Sequence, residues 1–212
     1  MPDAQHTTRE KILDAALLLF SQKGFLGATT KEIAAESGVA EVTLFRHFST
    51  KEALLEEVLT SNTFLPALKE IIPSVLNMPY EEALSEIACG FLATLGRRHN
   101  FIKIVHSERH LYSEKIRKSY HSAINDVFLS LASYFEEMQK KGILREFDCY
   151  LGARAFFGMF FSYFTQSQLL MFKKMTPRET EHLVKEYVEI FMRGTVLIEP
   201  EDNGSRCQEK KS

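Results

Sequence analysis

Between Gly38 and His47 the chain carries side chains suited to recognition rather than to bond-making. Glu41, Val42, Thr43, Arg46 and His47 bring together a carboxylate, an apolar branch, a hydroxyl, a guanidinium and an imidazole. On a short helix, spacings of three and four put such groups on one outward face. That face can donate hydrogen bonds to phosphates and base edges and touch a thymine methyl. Nothing in the sequence supplies a nucleophile elbow, a Walker loop, a GxGxxG turn or a paired-carboxylate setting, so no catalytic residue and no cofactor is expected. His106 and His110 stand at i, i+4, a spacing able to chelate a metal. The glutamate between them is out of place for HExxH and no third ligand offers itself, so a polar helix face is the default and no metal is expected.

A groove-reading helix must be held by others, and the local signals supply them. Thr7-Thr8-Arg9-Glu10 reads as a capping box opening a helix from about Thr8 to Lys23, with Ile12, Leu13, Ala16, Leu19 and Phe20 on one apolar face and Gly24 as a left-handed cap. Thr29-Thr30-Lys31-Glu32 opens a second, short helix ending at Gly38, and a third runs from about Glu41 to His47. A further box, Ser49-Thr50-Lys51-Glu52, opens a longer one. Helix, tight glycine turn, helix is the arrangement of a helix-turn-helix, with Ile33, Ala34, Val39 and Leu44 locking the crossing. Beyond it, helical periodicity predicts segments at 51–75 (strained or broken near Pro66 and Pro73), 80–97, 100–112, 114–141, 149–173 and 177–197.

The 212 residues are 45% hydrophobic and 25% charged, ordinary for a globular chain. Cys89, Cys149 and Cys207 are too sparse for a disulfide framework and fit a reducing cytoplasm. The N-terminus lacks a signal-peptide core, and the most apolar stretch, 155–164, is too short for a membrane span. The net charge is −2, and residues 1–51 balance Arg9, Lys11, Lys23, Lys31, Arg46 and Lys51 against Asp3, Glu10, Asp14, Glu32, Glu36 and Glu41. Any DNA binding must therefore rest on a few well-placed contacts rather than on a basic coat.

The run TTREKILDAALLLFSQKGFLGATTKEIAAESGVAEVTLFRHFSTKEALLEEV resembles the DNA-binding domain of the TetR (tetracycline-repressor-like) family. Phe20, Gly24, Thr29-Thr30, Ile33-Ala34, Gly38-Val39, Thr43-Leu44, His47-Phe48 and Lys51-Glu52 carry the likeness. The resemblance implies that Thr30, Lys31, His47 and Lys51 contact phosphates, that Thr43 contacts a base edge or phosphate, and that Glu41, Val42 and Arg46 discriminate sequence. Three positions depart from the family pattern: Ala40 where a serine often caps the reading helix, Val42 where glycine is common, and Phe45 where a tyrosine hydroxyl reaches a phosphate. Glu41 either accepts from a cytosine amino group or favours the positive end of its helix.

The expected fold is all-α: a three-helix DNA-binding domain at 1–51, a larger helical ligand-binding and dimerisation domain at 52–198, and a polar tail at 199–212. Aromatics wrap around most of 149–173, so that helix should be buried on most sides. By the resemblance, the last two helices form a homodimer interface, here through Phe156, Phe157, Phe161, Val188 and Phe191 with Gly152 and Gly158 allowing close approach. A dimer doubles the phosphate contacts, which meets the charge objection, and calls for a palindromic operator. Candidate pocket residues are Phe91, Leu95, Phe101, Ile104, Leu111, Phe128, Phe160 and Phe164, whose aromatic content suits a hydrophobic or acyl-like effector. Arg97 and Arg98 either favour a helix C-terminus or meet an anionic group on that ligand. The expected function is a cytoplasmic regulator, a repressor released by that effector. A ligand-independent DNA-binding factor, or an enzyme or carrier with a structural N-terminal unit, are the alternatives.

Overall fold

The computed structural model describes residues 7–98, 104, 112–171 and 175–197, with the backbone alone at 168–170. Among them the helices are α1 (Thr8–Gly27), α2 (Thr30–Glu36), α3 (Glu41–His47), α4 (Lys51–Ser61), α5 (Leu65–Val75), α6 (Tyr80–Arg97), α7 (Glu114–Lys140), α8 (Cys149–Phe164) and α9 (Pro177–Thr195). The architecture is all-α, as the periodicity predicts, with a small N-terminal helical unit and a larger helical body. Ile104 and Tyr112 apart, the helix expected at 100–112 lies outside the described residues, as do the histidine pair and the 199–212 tail.

Two capping boxes form as written in the sequence. Thr7 accepts from the Glu10 backbone N–H while the Glu10 carboxylate accepts from Thr7 N–H, and Thr29 and Glu32 do the same. The third start differs. Thr50, not Ser49, caps α4, accepting from Ala53 N–H at 3.0 Å; alanine at that position has no carboxylate with which to return the bond. Gly24 also behaves differently from a simple stop. It takes φ 74°, which only glycine adopts freely, and kinks α1, which resumes for one more turn to Gly27.

The break between α4 and α5 falls at 62–64 rather than at a proline. Pro66 sits in the first turn of α5, where no N–H is needed, and Pro73 stays within that helix. At the far end α8 passes into a π-helical turn, Thr165–Leu170.

In the larger body α7 packs on α4, α5 and α8, and α6 packs on α5, α8 and α9. A β-carbon on Gly90 would lie 2.5 Å from Ile71 Cδ1, so glycine there permits the close α5–α6 approach. Helix α4 touches both α1 and α7, which makes it the mechanical link between the two units. An isolated antiparallel bridge, Leu144 with Val196, ties the end of α9 to the turn after α7. Among the described residues no helix is long and apolar enough to cross a membrane.

Candidate nucleic-acid interface

The turn between α2 and α3 is built on Gly38, at φ 71°, with Gly38 N–H donating to Ala35 O and Val39 N–H to Ala34 O. Ile33, Ala34, Leu44 and Phe48 are buried in the same core as Ala16, Leu19 and Phe20 of α1, with α2 packed on both α1 and α3, which fixes the angle at which α3 leaves the turn. Burying Leu44 turns Val42 and Phe45 outward: they are 65% and 45% exposed. Arg46 and His47 are exposed beside them, Thr43 is half-buried, and Lys31 is exposed in the first turn of α2. Two apolar side chains held in water next to cations and a hydroxyl make a surface with something to gain from a base-lined groove.

Glu41 does not point freely outward. Thr30 Oγ1 donates to Glu41 Oε1 at 2.6 Å, so the carboxylate joins the start of α3 to the start of α2 and occupies the threonine hydroxyl. Ala40, at the N-cap of α3, offers no side-chain hydrogen bond, leaving that end open. Lys51 lies with Nζ 4.6 Å from the centre of the Phe25 ring, and burial pushes its pKa down. Sequence reasoning missed the Lys23–Glu32 ion pair at 2.7 Å, because the partners are nine residues apart on different helices. Hydrogen bonds from Lys23 and then Thr29 hold the Glu32 carboxyl at about 2. Arg9 ties α1 to α4 through Glu57 at 3.0 Å, with its guanidinium over the Phe48 ring.

Residues 12–58, which contain α2, the Gly38 turn, α3 and Lys51, match the model of bacterial regulatory proteins of the tetR family. Residues 82–194, just over half the chain, match that of the AefR-like transcriptional repressor C-terminal domain. The chain belongs to the TetR family of helix-turn-helix transcriptional regulators. It is 28% identical over 189 residues to the regulator YvkB of Bacillus subtilis, covering 88% of this chain and 96% of that one. Its fold is that of a TetR-family regulator from Mesorhizobium loti (TM-score 0.77, 21% identity, 90% and 97% coverage). The same fold occurs in FadR of B. subtilis, solved in complex with stearoyl-CoA (TM-score 0.71, 20% identity, 87% and 97% coverage).

Behind the reading head, this TetR-family chain holds a cavity of about 290 Å³ between the α4–α5 connection (62–64), α6, α7 and α8. Phe91, Leu95 and Phe128 of the expected pocket residues line it. Phe160 and Phe164 do not: both are fully buried on another side of α8, and Phe160 packs on Tyr187 of α9. Ile104 is buried with its carbonyl accepting from Tyr112, and Phe101 and Leu111 lie outside the described residues. Arg98, for which an anionic ligand group is one of two expectations, lines it too, and Thr63, Phe64, Thr94, Ile124 and Val127 are lining residues that periodicity could not single out, because they come together only through helix packing.

The residues expected at a partner-facing surface are mostly turned inward. Phe156 is fully buried, edge-on to Phe160 and Phe191, and Val188 and Phe191 are buried with it. Phe157 is buried against Phe64 and Phe91 and lines the cavity. Of the five, Phe161 alone keeps substantial exposure, 38%. Apart from Phe161, the phenylalanines of α8 are buried within the same chain, where α6, α7 and α9 pack on the helix. Gly152 receives the Phe147 ring of the same chain, and Gly158 stands in the cavity wall.

Proposed function

We propose that this regulator is a repressor that binds a palindromic operator as a homodimer and is released when a small hydrophobic effector enters the cavity. The exposed Val42–Phe45 pair carries the reading, because side chains of that kind gain most when a groove removes them from water. Thr43, Arg46 and His47 read or anchor beside them, with the backbone N–H of Thr30 and the side chains of Lys31 and Lys51 supplying phosphate contacts from neighbouring helix starts. Leu151 on α8 and Ile190 on α9, 58% and 59% exposed, offer apolar surface for a second copy.

Helix α4 carries the coupling. Its Glu56 accepts from Ser119 Oγ at 2.7 Å and pairs with Lys115 Nζ at 3.0 Å, both on α7. The next residues of α7, Tyr120 and His121, line the cavity. A ligand that displaces α7 therefore pulls on α4, whose first residue is Lys51. Shifting α4 in each protomer changes the separation of two reading heads at once, and operator affinity falls. An effector binding the DNA-competent state and the released state equally would shift nothing.

Selection of bound duplexes from a random pool at about 0.15 M salt tests the reading. Wild type is expected to enrich a palindrome, while Thr43→Ala/His47→Ala enriches none. Failure of the wild type to enrich any sequence, before and after unfolding, ligand removal and refolding, would sink it.

A further inference from the structure

The cavity lining is mostly apolar, with Asn62, Thr63, Tyr120 and His121 as polar residues on the α4–α5 connection and α7, and a further pair on α6. There Thr94 and Arg98 stand at i, i+4, on the same helix face. Thr94 is 4% exposed, and its hydroxyl has no hydrogen-bond partner among the described residues. Arg98 is half-buried, and its Nη1 donates to the backbone carbonyl of Thr63. Among the described residues no carboxylate pairs with it. Burial, and then the neighbouring Arg97 charge, pull its pKa down, as expected for a cation short of a counter-charge.

We propose that the cavity binds a small organic carboxylic acid as its anion, with the apolar body among Phe64, Phe91, Phe128 and Phe157 and the carboxylate on Arg98, Thr94 providing a second donor. This rests on the effector reading above and names the chemistry of the effector. A guanidinium presents five donors, of which a carbonyl engages one, and its fork matches a carboxylate. Thr94 supplies its hydroxyl by turning about χ1, for which threonine has two accessible rotamers in a helix. A phosphate dianion would need more cations than one arginine and His121, which is exposed at the mouth. Tyr120, pushed up to about 12 by burial, stays a neutral phenol and adds no opposing charge. An amine is repelled by Arg98. At the packing density of protein interiors the volume holds roughly a dozen non-hydrogen atoms, the size of a medium-chain or phenylalkanoic acid.

The position of Arg98 gives the anion a route to α4. Thr63 lies two residues beyond the last residue of α4, and a carboxylate draws on the guanidinium that holds its carbonyl. Binding therefore loosens the tie between α6 and the end of α4.

Titration calorimetry on the full chain, with decanoate and 4-phenylbutyrate against 1-decanol and 4-phenylbutanol, tests the proposal. The acids are expected to bind at least about tenfold more tightly than their alcohols. Arg98→Gln is expected to erase that preference while leaving alcohol binding. Thr94→Val, which keeps the Thr63 tie, should weaken acid binding several-fold and raise the melting temperature of the ligand-free chain, because it removes an unpaired buried hydroxyl. Equal binding of acids and alcohols, a preference that survives Arg98→Gln, or no acid binding up to about 1 mM would each overturn it. Duplex selection on the same preparation separates the two readings. Operator enrichment without acid binding removes this proposal alone, and acid binding without enrichment removes the operator reading alone.

Discussion

The hydroxyl of Thr30 and the carboxylate of Glu41, eleven residues apart, meet at 2.6 Å and join the N-termini of α2 and α3. The contact accounts for an acidic residue on a helix meant to approach phosphate. The charge is turned onto a neighbour within the reading head, where it helps set the crossing of the two helices. Thr30→Val and Glu41→Ala are each expected to destabilise the chain, and in a double-mutant cycle to show about 1 kcal/mol of coupling by urea unfolding. Additive losses would mean that the bond contributes nothing to the crossing.

Phe45 keeps the ring of the family's usual tyrosine at a position 45% exposed. Restoring the hydroxyl by Phe45→Tyr removes no packing, so stability should stay within about 0.5 kcal/mol. Operator binding should tighten by about three- to tenfold through one added hydrogen bond to a phosphate. Fluorescence anisotropy at fixed salt measures it; unchanged affinity would place residue 45 away from the backbone.

Two carboxyls report on how the small unit is held. Glu32, bonded by Lys23 and Thr29, titrates at about 2 against an ordinary 4.5. Glu56 is lowered by Ser119 and then Lys115. Both bind protons less readily folded than unfolded, so their stabilisation is complete above about pH 4.5 and is lost as pH falls, for Glu32 down to about pH 2. Acid unfolding followed by circular dichroism should flatten over that window in Lys23→Met, and Ser119→Ala should flatten the part that belongs to Glu56. An unchanged acid limb in Lys23→Met would show that the ion pair does not persist in solution.

What could be read in advance depended on how local the physics is. Thr7 with Glu10 and Thr29 with Glu32 are three residues apart, so both capping boxes were legible, as was the need for glycine at residue 38. The likeness at residues 8–58 also marked Val42, Phe45, Arg46 and His47 as a surface. The Thr30–Glu41 bond and the Lys23–Glu32 pair depend on how helices cross, which no spacing rule contains. The same holds for the phenylalanines of α8. Their number showed that the helix is covered on most sides, but Phe157 faces the cavity and Phe160 faces Tyr187 for reasons that lie in α6, α7 and α9.

Gly158 offers a way to uncouple ligand entry from DNA binding. It lies in the cavity wall on α8, as does Phe161, and a β-carbon there meets nothing within 4 Å. Gly158→Leu gains about 0.5–1 kcal/mol of helix stability and places its side chain where the ligand would enter. Helices α1 to α3 are untouched, so operator affinity of the ligand-free chain should match wild type. Release from DNA by an added effector should be lost, giving a repressor that stays bound. Anisotropy with and without decanoate reads both quantities. Release at wild-type effector concentrations in Gly158→Leu would mean that the effector acts from somewhere other than this cavity.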